Sequence, residues 1–208
     1  KAANRQACSE MNDSKQFAEV RREELYAVIL GLAERGELFW ASGEASIEEI
    51  ETENIVGATC LAMKRAMDGA SEKSKQLWTP EPKSEEDLFS HIGSSMDEKY
   101  WAVRVDGRPM KRLPYEHQGL VKGDTISLAI AMGSLVAKVT RDRRMRKFAE
   151  EFPAYDFASN KGYGSPNHLM ALKESGPTRL HRPRFLRNIL PETEQSKRDD
   201  PQSQLSFE

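Results

Sequence analysis

Two stretches decide the fold of this chain: YWAVRVDG at positions 100–107 and GLVKGD at positions 119–124. Each joins a short run of bulky or β-branched apolar residues to a turn of glycine and aspartate, a pattern typical of a strand that ends abruptly. We predict one short strand in each stretch, closed by Asp106 in the first and by Asp124 in the second. Because open α/β sheets usually hold their chemistry at the carboxyl ends of strands, these aspartates are the first candidates for a functional site.

The residues before these strands are predicted to be mainly helical. Apolar side chains recur at steps of three and four over residues 21–35, which is the period of an amphipathic helix. Ser46, followed three residues later by Glu49, forms a capping-box pattern that opens a short helix before a longer one over residues 55–66. Between these helices, the bulky residues 38–41 favour a further strand.

The residues after Asp124 continue the helical period for roughly 20 positions, so a long helix follows the second strand. Ser165 and Pro166 then open another helix, since proline fits the first helical turn, and Gly176 ends it. Strands that alternate with helices in this way indicate an α/β layered architecture.

The chain is long enough for one main domain. It has 208 residues, of which 38% are hydrophobic, and we place this domain at residues 1–190. Residues 70–98 are rich in serine, proline and charge, and we expect an exposed insertion there. Residues 191–208 are polar and have no repeat, so we expect a disordered tail.

The cysteines and histidines do not show the spacing of a metal site. Cys8 and Cys60 lie far apart, and we expect idle or buried thiols in a reducing compartment. We expect His168 and His181 to be structural. No apolar run reaches the roughly 18 residues of a membrane span, and no charged-then-apolar leader opens the chain, so we expect a cytoplasmic protein without a membrane partner.

The net charge of −2 conceals an uneven distribution. Residues 101–190 hold 17 Lys and Arg against 8 Asp and Glu, a net of +9, which leaves −11 for the remainder. A basic block of this size is typical of a nucleic-acid surface, although a solvated charged face would give the same count.

Asp106 and Asp124 have two interpretations. Each is a common turn residue, but two aspartates that close neighbouring strands can also converge on one point. Carboxylates about 3 to 5 Å apart repel each other, and a divalent cation removes that penalty. Ligands that are all oxygen favour Mg²⁺ or Mn²⁺, which can support hydrolysis of a phosphodiester. A two-ion site needs about four carboxylates, so the others must come from elsewhere.

Short motifs spread along the chain carry a family resemblance. They are Asn12-Asp13-Ser14-Lys15, Arg21-Arg22-Glu23-Glu24-Leu25-Tyr26, Gly43-Glu44-Ala45-Ser46, Asn54-Ile55, Ala58-Thr59, Val105-Asp106-Gly107, Val121-Lys122-Gly123-Asp124, Ala137-Lys138-Val139-Thr140-Arg141-Asp142, Lys161-Gly162-Tyr163-Gly164-Ser165, His181-Arg182 and Phe185. In this order they resemble bacterial ribonuclease HII. The resemblance covers about residues 12–187 apart from 70–98.

The resemblance implies a fold and an activity. The fold is α/β and ribonuclease H-like, with a mixed central sheet flanked by helices. The activity is that of an endoribonuclease dependent on Mn²⁺ or Mg²⁺, which hydrolyses the RNA strand of RNA–DNA hybrids and incises at ribonucleotides embedded in duplex DNA. Its partners would be these nucleic acids, and we expect a monomer.

The resemblance also divides the metal ligands. Asp106 and Asp124 align with the two later carboxylates of the family, which we take as catalytic and metal-binding. The two earlier ones belong to a first-strand motif Asp-Glu-x-Gly-Arg-Gly, whose backbone also reads the ribose 2′-hydroxyl. That motif does not occur in these residues. Either this sequence, which starts at Lys1, is a fragment that lacks the first strand, or the protein is an inactive module that binds RNA–DNA hybrids.

Other residues are assigned to substrate by the resemblance. Tyr163 would pack on the sugar beside the ribonucleotide, and Gly162 and Gly164 would let backbone approach the nucleic acid. Ser14 and Lys15 would lie near the scissile backbone. Without the resemblance, the tyrosine would be a turn residue and the lysine a solvated one.

Two further contacts are predicted at basic or terminal segments. Lys138 and Arg141 lie on the long helix and would contact phosphates, although the basic end of this helix would also suit a solvated face that complements the helix dipole. In the tail, Gln204, Leu205 and Phe207 resemble a shortened peptide of the kind that binds the bacterial sliding clamp, and an extended tail suits such a contact.

Overall fold

The computed structural model describes residue 11 and residues 16–75, 77–80, 102–187 and 189–190. The helices are α1 (Glu19–Glu34), α2 (Ile47–Lys73), α3 (Gly123–Ile126), α4 (Leu128–Glu151), α5 (Phe157–Asn160), α6 (Pro166–Ser175) and α7 (Pro183–Leu186), and the strands are β1 (Arg104–Asp106) and β2 (Gln118–Leu120). None of the helices in these ranges is both long and apolar enough to cross a membrane. The described residues form two compact units, one within residues 1–45 and 59–139 and the other within residues 46–58 and 140–208.

The core of the first unit is formed by α1 and the amino-terminal half of α4. Leu25 and Ile29 of α1 are buried in one cluster with Leu135 and Val139 of α4. The spacing of three or four residues on each helix therefore places one apolar face inside, as the period of residues 21–35 predicts. This prediction of a helix is confirmed, since α1 covers Glu19–Glu34.

The strand predicted at residues 38–41 is wrong. The chain is irregular there, and its bulky residues serve side-chain packing. The ring of Trp40 meets Tyr26 edge-on, with centroids 5.9 Å apart. The Lys73 ammonium lies 4.8 Å from the Trp40 ring centroid and donates to the Trp40 carbonyl at 3.0 Å. Bulk alone could not distinguish a strand from a segment that packs against a helix.

The start of α2 is built as its sequence predicts. The Ser46 amide donates to Glu49 Oε2 at 2.8 Å, and the Glu49 amide donates to Ser46 Oγ at 3.2 Å, which is a reciprocal capping box. Asn54 then interrupts the helix with φ 57°, and its Oδ1 accepts from the Val56 amide at 2.9 Å. A short helix before a longer one is confirmed. The longer helix runs on to Lys73, so the first residues of the predicted insertion are helical.

The sheet of the described residues consists of β1 and β2, which are parallel, with Val105 opposite Gly119. Both predicted strands are present but short, and residues 102 and 103 lie outside β1. Val105 is buried in a small cluster with Cys60 of α2 and Leu113. This side chain therefore anchors β1 on α2. The mixed character of the predicted sheet stays a prediction.

A polar contact ties α2 to the connection between β1 and β2. The Tyr115 hydroxyl donates to Asp68, and the Lys64 ammonium lies 2.6 Å from the other oxygen of that carboxylate. Burial raises the pKa of Asp68, but the hydrogen bonds from Lys64 and Tyr115 outweigh burial and hold this pKa below its ordinary value. The carboxylate is therefore stabilised in its charged form, and the connection is held against the helix.

The second unit has an aromatic core. Phe152, Tyr155 and Phe157 are buried with Leu172 and Leu186. The Tyr155 ring stacks on Phe157 with centroids 5.5 Å apart, and burial raises the pKa of the Tyr155 phenol. The rings hold α6 and α7 together.

Helix α6 begins and ends where its sequence predicts. Ser165 precedes the helix, and its Oγ accepts from the His168 amide at 3.3 Å. Gly176, with φ 75°, follows the last helical residue. The Tyr155 hydroxyl donates to the Gly176 carbonyl at 2.6 Å, which fixes the end of the helix on the core.

The exposed Gly133 inside α4 generates a test of the helix. A Cβ at this position would meet no atom within 4 Å. We expect Gly133→Ala to raise the free energy of unfolding by about 0.5 to 1 kcal/mol, because alanine loses less backbone entropy in a helix. Urea denaturation measures this change. The exposed Ala137 of the same helix supplies the control, since Ala137→Gly should lower the value by a similar amount. A destabilised Gly133→Ala variant would contradict this account of α4.

Candidate metal and nucleic-acid site

The two candidate metal ligands are connected by a backbone contact at one edge of the sheet. Asp106 is the last residue of β1, and its Oδ1 accepts a hydrogen bond of 2.8 Å from the amide of Gly123. Gly123 directly precedes Asp124 in the chain. The Asp106 carboxylate therefore lies against the first turn of α3, where Asp124 resides. The structure brings the two carboxylates into one neighbourhood, as the two stretches of sequence indicate.

Asp124 lies in a different element from the predicted one. Strand β2 ends at Leu120, and Asp124 belongs to α3 and does not close the strand. Lys122 turns the chain into this helix with φ 56°. Ser127 then breaks the helical run before α4, and Ile126, which the period assigns to an apolar face, is 70% exposed. The long helix predicted after Asp124 is confirmed as α4, but Ile126 lies outside it, because the turn that carries the aspartate is a separate short helix.

Gly123 is required by close approach. A Cβ at this position would lie 3.3 Å from Asp106 Oδ1 and 2.7 Å from Ile130 Cδ1. Contacts this short force a neighbour to move, and the buried Ile130 has little room to do so. The absence of a side chain thus allows the Gly123 amide to reach the carboxylate.

The donor set suits a hard divalent cation. Asp106 is exposed and Asp124 partly exposed, so their oxygens are accessible to an ion. The bond from Gly123 uses only part of the accepting capacity of one Asp106 oxygen, which leaves the rest of the carboxylate available. Carboxylate oxygens are the ligands that Mg²⁺ and Mn²⁺ prefer. Within the described ranges, no group of three or more His, Cys, Asp or Glu side chains is placed to hold a metal ion. The two aspartates fit one side of a metal site.

A second candidate lies in the second unit, where Arg141 backs an exposed tyrosine. The Tyr163 side chain is 66% exposed, and the Arg141 guanidinium lies 5.3 Å from its ring centroid. Arg141 also donates to the Lys161 carbonyl at 2.9 Å. The guanidinium thus orients the loop and its ring together. An exposed ring next to a cation is a stacking platform for a base or a sugar.

The glycines beside Tyr163 differ in their constraints. Gly162 has φ 80°, and a Cβ there would lie 3.3 Å from Met145 Cε. Gly164 has no positive φ, and its Cβ would meet only Leu169, at the ordinary distance of 3.8 Å. The turn itself therefore requires glycine at 162 and not at 164. The nucleic-acid role of both residues stays a prediction.

The remaining predicted site residues fall into two groups. Ser14, Lys15 and the three tail residues lie outside the described residues. Lys138 is half-buried on α4 and already interacts with its neighbours. Arg141 already contacts the Tyr163 ring and the Lys161 carbonyl, so a phosphate contact would be additional to these. The proposal that both cations contact phosphates is untested.

The sequence analysis missed Phe185 as a second exposed ring. This side chain is 58% exposed, and the Arg182 guanidinium lies 4.0 Å from its ring centroid. Arg184 and Arg187 are exposed on either side of it in the sequence. The signal was present as four arginines within residues 179–187, but only the structure shows that one of them covers an aromatic ring.

Two carboxylates at one sheet edge, within the basic residues 101–190, indicate a hydrolase of the nuclease type. Comparison with known proteins agrees with this class. The family model described as Ribonuclease HII matches residues 5–188. The chain belongs to the ribonuclease HII family.

Individual relatives support the same family. The chain is 38% identical to the ribonuclease HII of Fusobacterium nucleatum, over 90% of this chain and 75% of the relative. It is 36% identical to that of Caldanaerobacter subterraneus, over 87% of this chain and 63% of the relative. For Polynucleobacter necessarius the identity is 38%, over 83% of this chain and 74% of the relative. The resemblance inferred from short motifs is confirmed, and this family implies a ribonuclease H-like α/β fold.

The hydrogen bond at Asp106 predicts that a substitution there can weaken metal binding without lowering the stability of the fold. Asp106→Asn keeps an oxygen that can accept from the Gly123 amide but loses the negative charge. We expect the thermal midpoint to stay close to that of the wild type, and the Mn²⁺ affinity, measured by electron paramagnetic resonance of free Mn²⁺, to fall by about tenfold or more. Glu116→Gln, an exposed carboxylate in the connection between the strands, should leave Mn²⁺ affinity unchanged. Equal Mn²⁺ affinity in wild type and Asp106→Asn would refute this assignment.

Proposed function

We propose that this protein is a metal-dependent endoribonuclease that hydrolyses the RNA strand of RNA–DNA hybrids and incises at ribonucleotides within duplex DNA. The observation that carries the proposal is the hydrogen bond from the Gly123 amide to Asp106, which holds one carboxylate beside Asp124 at the sheet edge. Mn²⁺ or Mg²⁺ bound there would supply an activated water and neutralise charge on the leaving oxygen.

The role of the two aspartates follows from their placement. Asp106 is fixed on a strand and by a backbone amide, so its carboxylate keeps one orientation. Asp124 is carried by the adjoining helical turn. Together they provide negative charge on one side of the reacting phosphate, and the remaining carboxylates of the family site would provide the other.

The role of Tyr163 is to pack on the sugar beside the ribonucleotide, as the resemblance implies. The exposed ring offers a flat apolar face, and Arg141 fixes its tilt. The arginines around Phe185 and the basic end of α4 would contact the phosphate backbone, which positions a duplex without reading its sequence. These are properties of a surface that selects a hybrid by shape and by its sugar.

A second candidate function is that of an inactive hybrid-binding module. An inactive module would lack part of the carboxylate set of the family, and residues 1–208 contain the two later carboxylates but no Asp-Glu-x-Gly-Arg-Gly motif. In that case Tyr163 and the basic surface would bind the hybrid without hydrolysis. Contact of Gln204, Leu205 and Phe207 with the sliding clamp would suit either function.

The two functions are separated by an incision assay. We expect the protein expressed from its complete gene, with Mn²⁺, to cut a duplex that contains one ribonucleotide and to leave a 3′-hydroxyl and a 5′-phosphate. Asp106→Asn should lower this rate by on the order of 100-fold or more, because a ligand of the ion is lost. Gel electrophoresis of the labelled strand measures the rate.

Glu116, an exposed carboxylate away from the two aspartates in sequence, supplies the control. Glu116→Gln should cut at the wild-type rate. Tight binding of the hybrid by a folded protein that makes no cut would support the inactive module. Cutting by residues 1–208 alone, abolished in Asp106→Asn, would show that this chain holds a complete site, against the account of two missing carboxylates.

A further inference from the structure

A buried pair of histidines lies beneath the loop that carries Tyr163. His168 on α6 is 5% exposed, and His181 before α7 is 7% exposed. Their Nε2 atoms lie 3.0 Å apart. Neither ring takes part in the metal-ligand or nucleic-acid contacts described above, so the pair needs an explanation of its own.

The proton positions of His181 follow from its partners. The amide of Thr178 lies 2.9 Å from His181 Nδ1, and an amide N–H can only donate. Nδ1 of His181 therefore accepts. In the neutral ring the proton is then on Nε2, which points at His168.

The proton positions of His168 follow in turn. Its Nε2 accepts from His181, so its own proton is on Nδ1. This Nδ1 lies 2.8 Å from the carbonyl oxygen of Tyr163, which can only accept. The result is a one-way chain of hydrogen bonds that starts at the Thr178 amide, passes through both rings and ends on the Tyr163 carbonyl.

The surroundings fix both rings in this orientation. Tyr155 meets His168 edge-on with centroids 6.3 Å apart and lies 5.1 Å from the His181 ring. Phe157 lies 5.3 Å and 5.7 Å from the same two rings. Because the aromatic core leaves little room for a ring flip, the hydrogen-bond chain keeps one direction.

The peptide of Tyr163 is the end point of this chain. Lys161 and Gly162, directly before it, both have positive φ, at 52° and 80°. Such a turn is held only if its neighbours fix it. The Tyr163 carbonyl accepts from the Ser165 amide at 2.8 Å and from His168 Nδ1 at 2.8 Å, and the Arg141 guanidinium lies over the ring. His168 therefore supplies the bond that ties this carbonyl to the buried core.

We propose that His168 and His181 are positioning residues that set the orientation of Tyr163 for contact with the hybrid. The substrate part of this proposal rests on the proposed function. A merely space-filling pair would not need a directed chain of hydrogen bonds, and apolar side chains of similar volume would fill the core with less desolvation. The direction of these hydrogen bonds delivers one N–H of His168 to the exposed loop that carries Tyr163.

The test uses two amide replacements of His168. His168→Asn places its N–H near the position of Nδ1 and keeps the bond to Tyr163, whereas His168→Gln places its amide near Nε2 and keeps only the bond to His181. Both remain polar, so both should fold. Loss of one hydrogen bond predicts that hybrid affinity falls by about tenfold in His168→Gln and by no more than about threefold in His168→Asn.

A double variant separates positioning from general stability. If His168 acts through Tyr163, the variant that combines His168→Gln with Tyr163→Ala should bind the hybrid within about twofold of Tyr163→Ala alone. The proposal would be overturned if the two losses of hybrid affinity multiplied in the double variant. It would also be overturned if His168→Asn and His168→Gln lost equal affinity. Hybrid affinity is measured by fluorescence anisotropy of a labelled RNA–DNA hybrid without added metal.

A spectroscopic readout tests the pair without nucleic acid. Imidazole ¹⁵N spectra at neutral pH should show His181 protonated at Nε2 and His168 protonated at Nδ1. The opposite tautomers would overturn the proposal. Unchanged affinity in Tyr163→Ala would refute the substrate contact, which belongs to the proposed function, while the tautomers still decide whether the pair holds the loop.

Discussion

The hydrogen bond from the Gly123 amide to the Asp106 carboxylate is the contact on which the site depends. It requires the parallel pairing of β1 and β2, because only that pairing brings the end of β1 to the turn after β2. It also requires a glycine at 123, since a side chain would press on Asp106 and on the buried Ile130. The same turn carries Asp124, so one backbone contact holds the Asp106 carboxylate next to the turn that contains Asp124. A protein that binds a cation at this edge needs this arrangement before any ion arrives.

In the second unit, too, contacts with neighbouring residues orient a candidate site residue, here Tyr163. An exposed aromatic ring has no preferred direction by itself, and its loop contains two residues with positive φ. Arg141 holds the ring, and the histidine chain holds the peptide. In each unit a candidate site residue, Asp106 or Tyr163, is held by backbone groups and by neighbouring side chains. Preorganisation of this kind reduces the conformational entropy that the protein loses on binding.

Local signals in the sequence predicted much of this structure. The apolar period of α1, the capping box at Ser46 and the start of α6 at Ser165 are set by neighbouring residues, so they could be read from the chain. Asp106 was predicted at a strand end and is found there, whereas Asp124, also predicted at a strand end, lies in a helical turn. The contacts of Trp40, the helical turn at Asp124 and the ring beside Arg141 depend on residues distant in sequence. No periodicity carries that information, and the bulky residues at 38–41 were misread for this reason.

The central claim is that Asp106 and Asp124 form one side of a divalent-metal site. The most direct measurement is a crystal structure of the protein soaked in Mn²⁺, with anomalous data recorded at the manganese absorption edge. The account predicts an anomalous peak about 2.1 to 2.3 Å from oxygens of both carboxylates, with the Gly123 amide still bonded to Asp106. A fully occupied manganese ion bound elsewhere, with the two carboxylates directed apart, would contradict it.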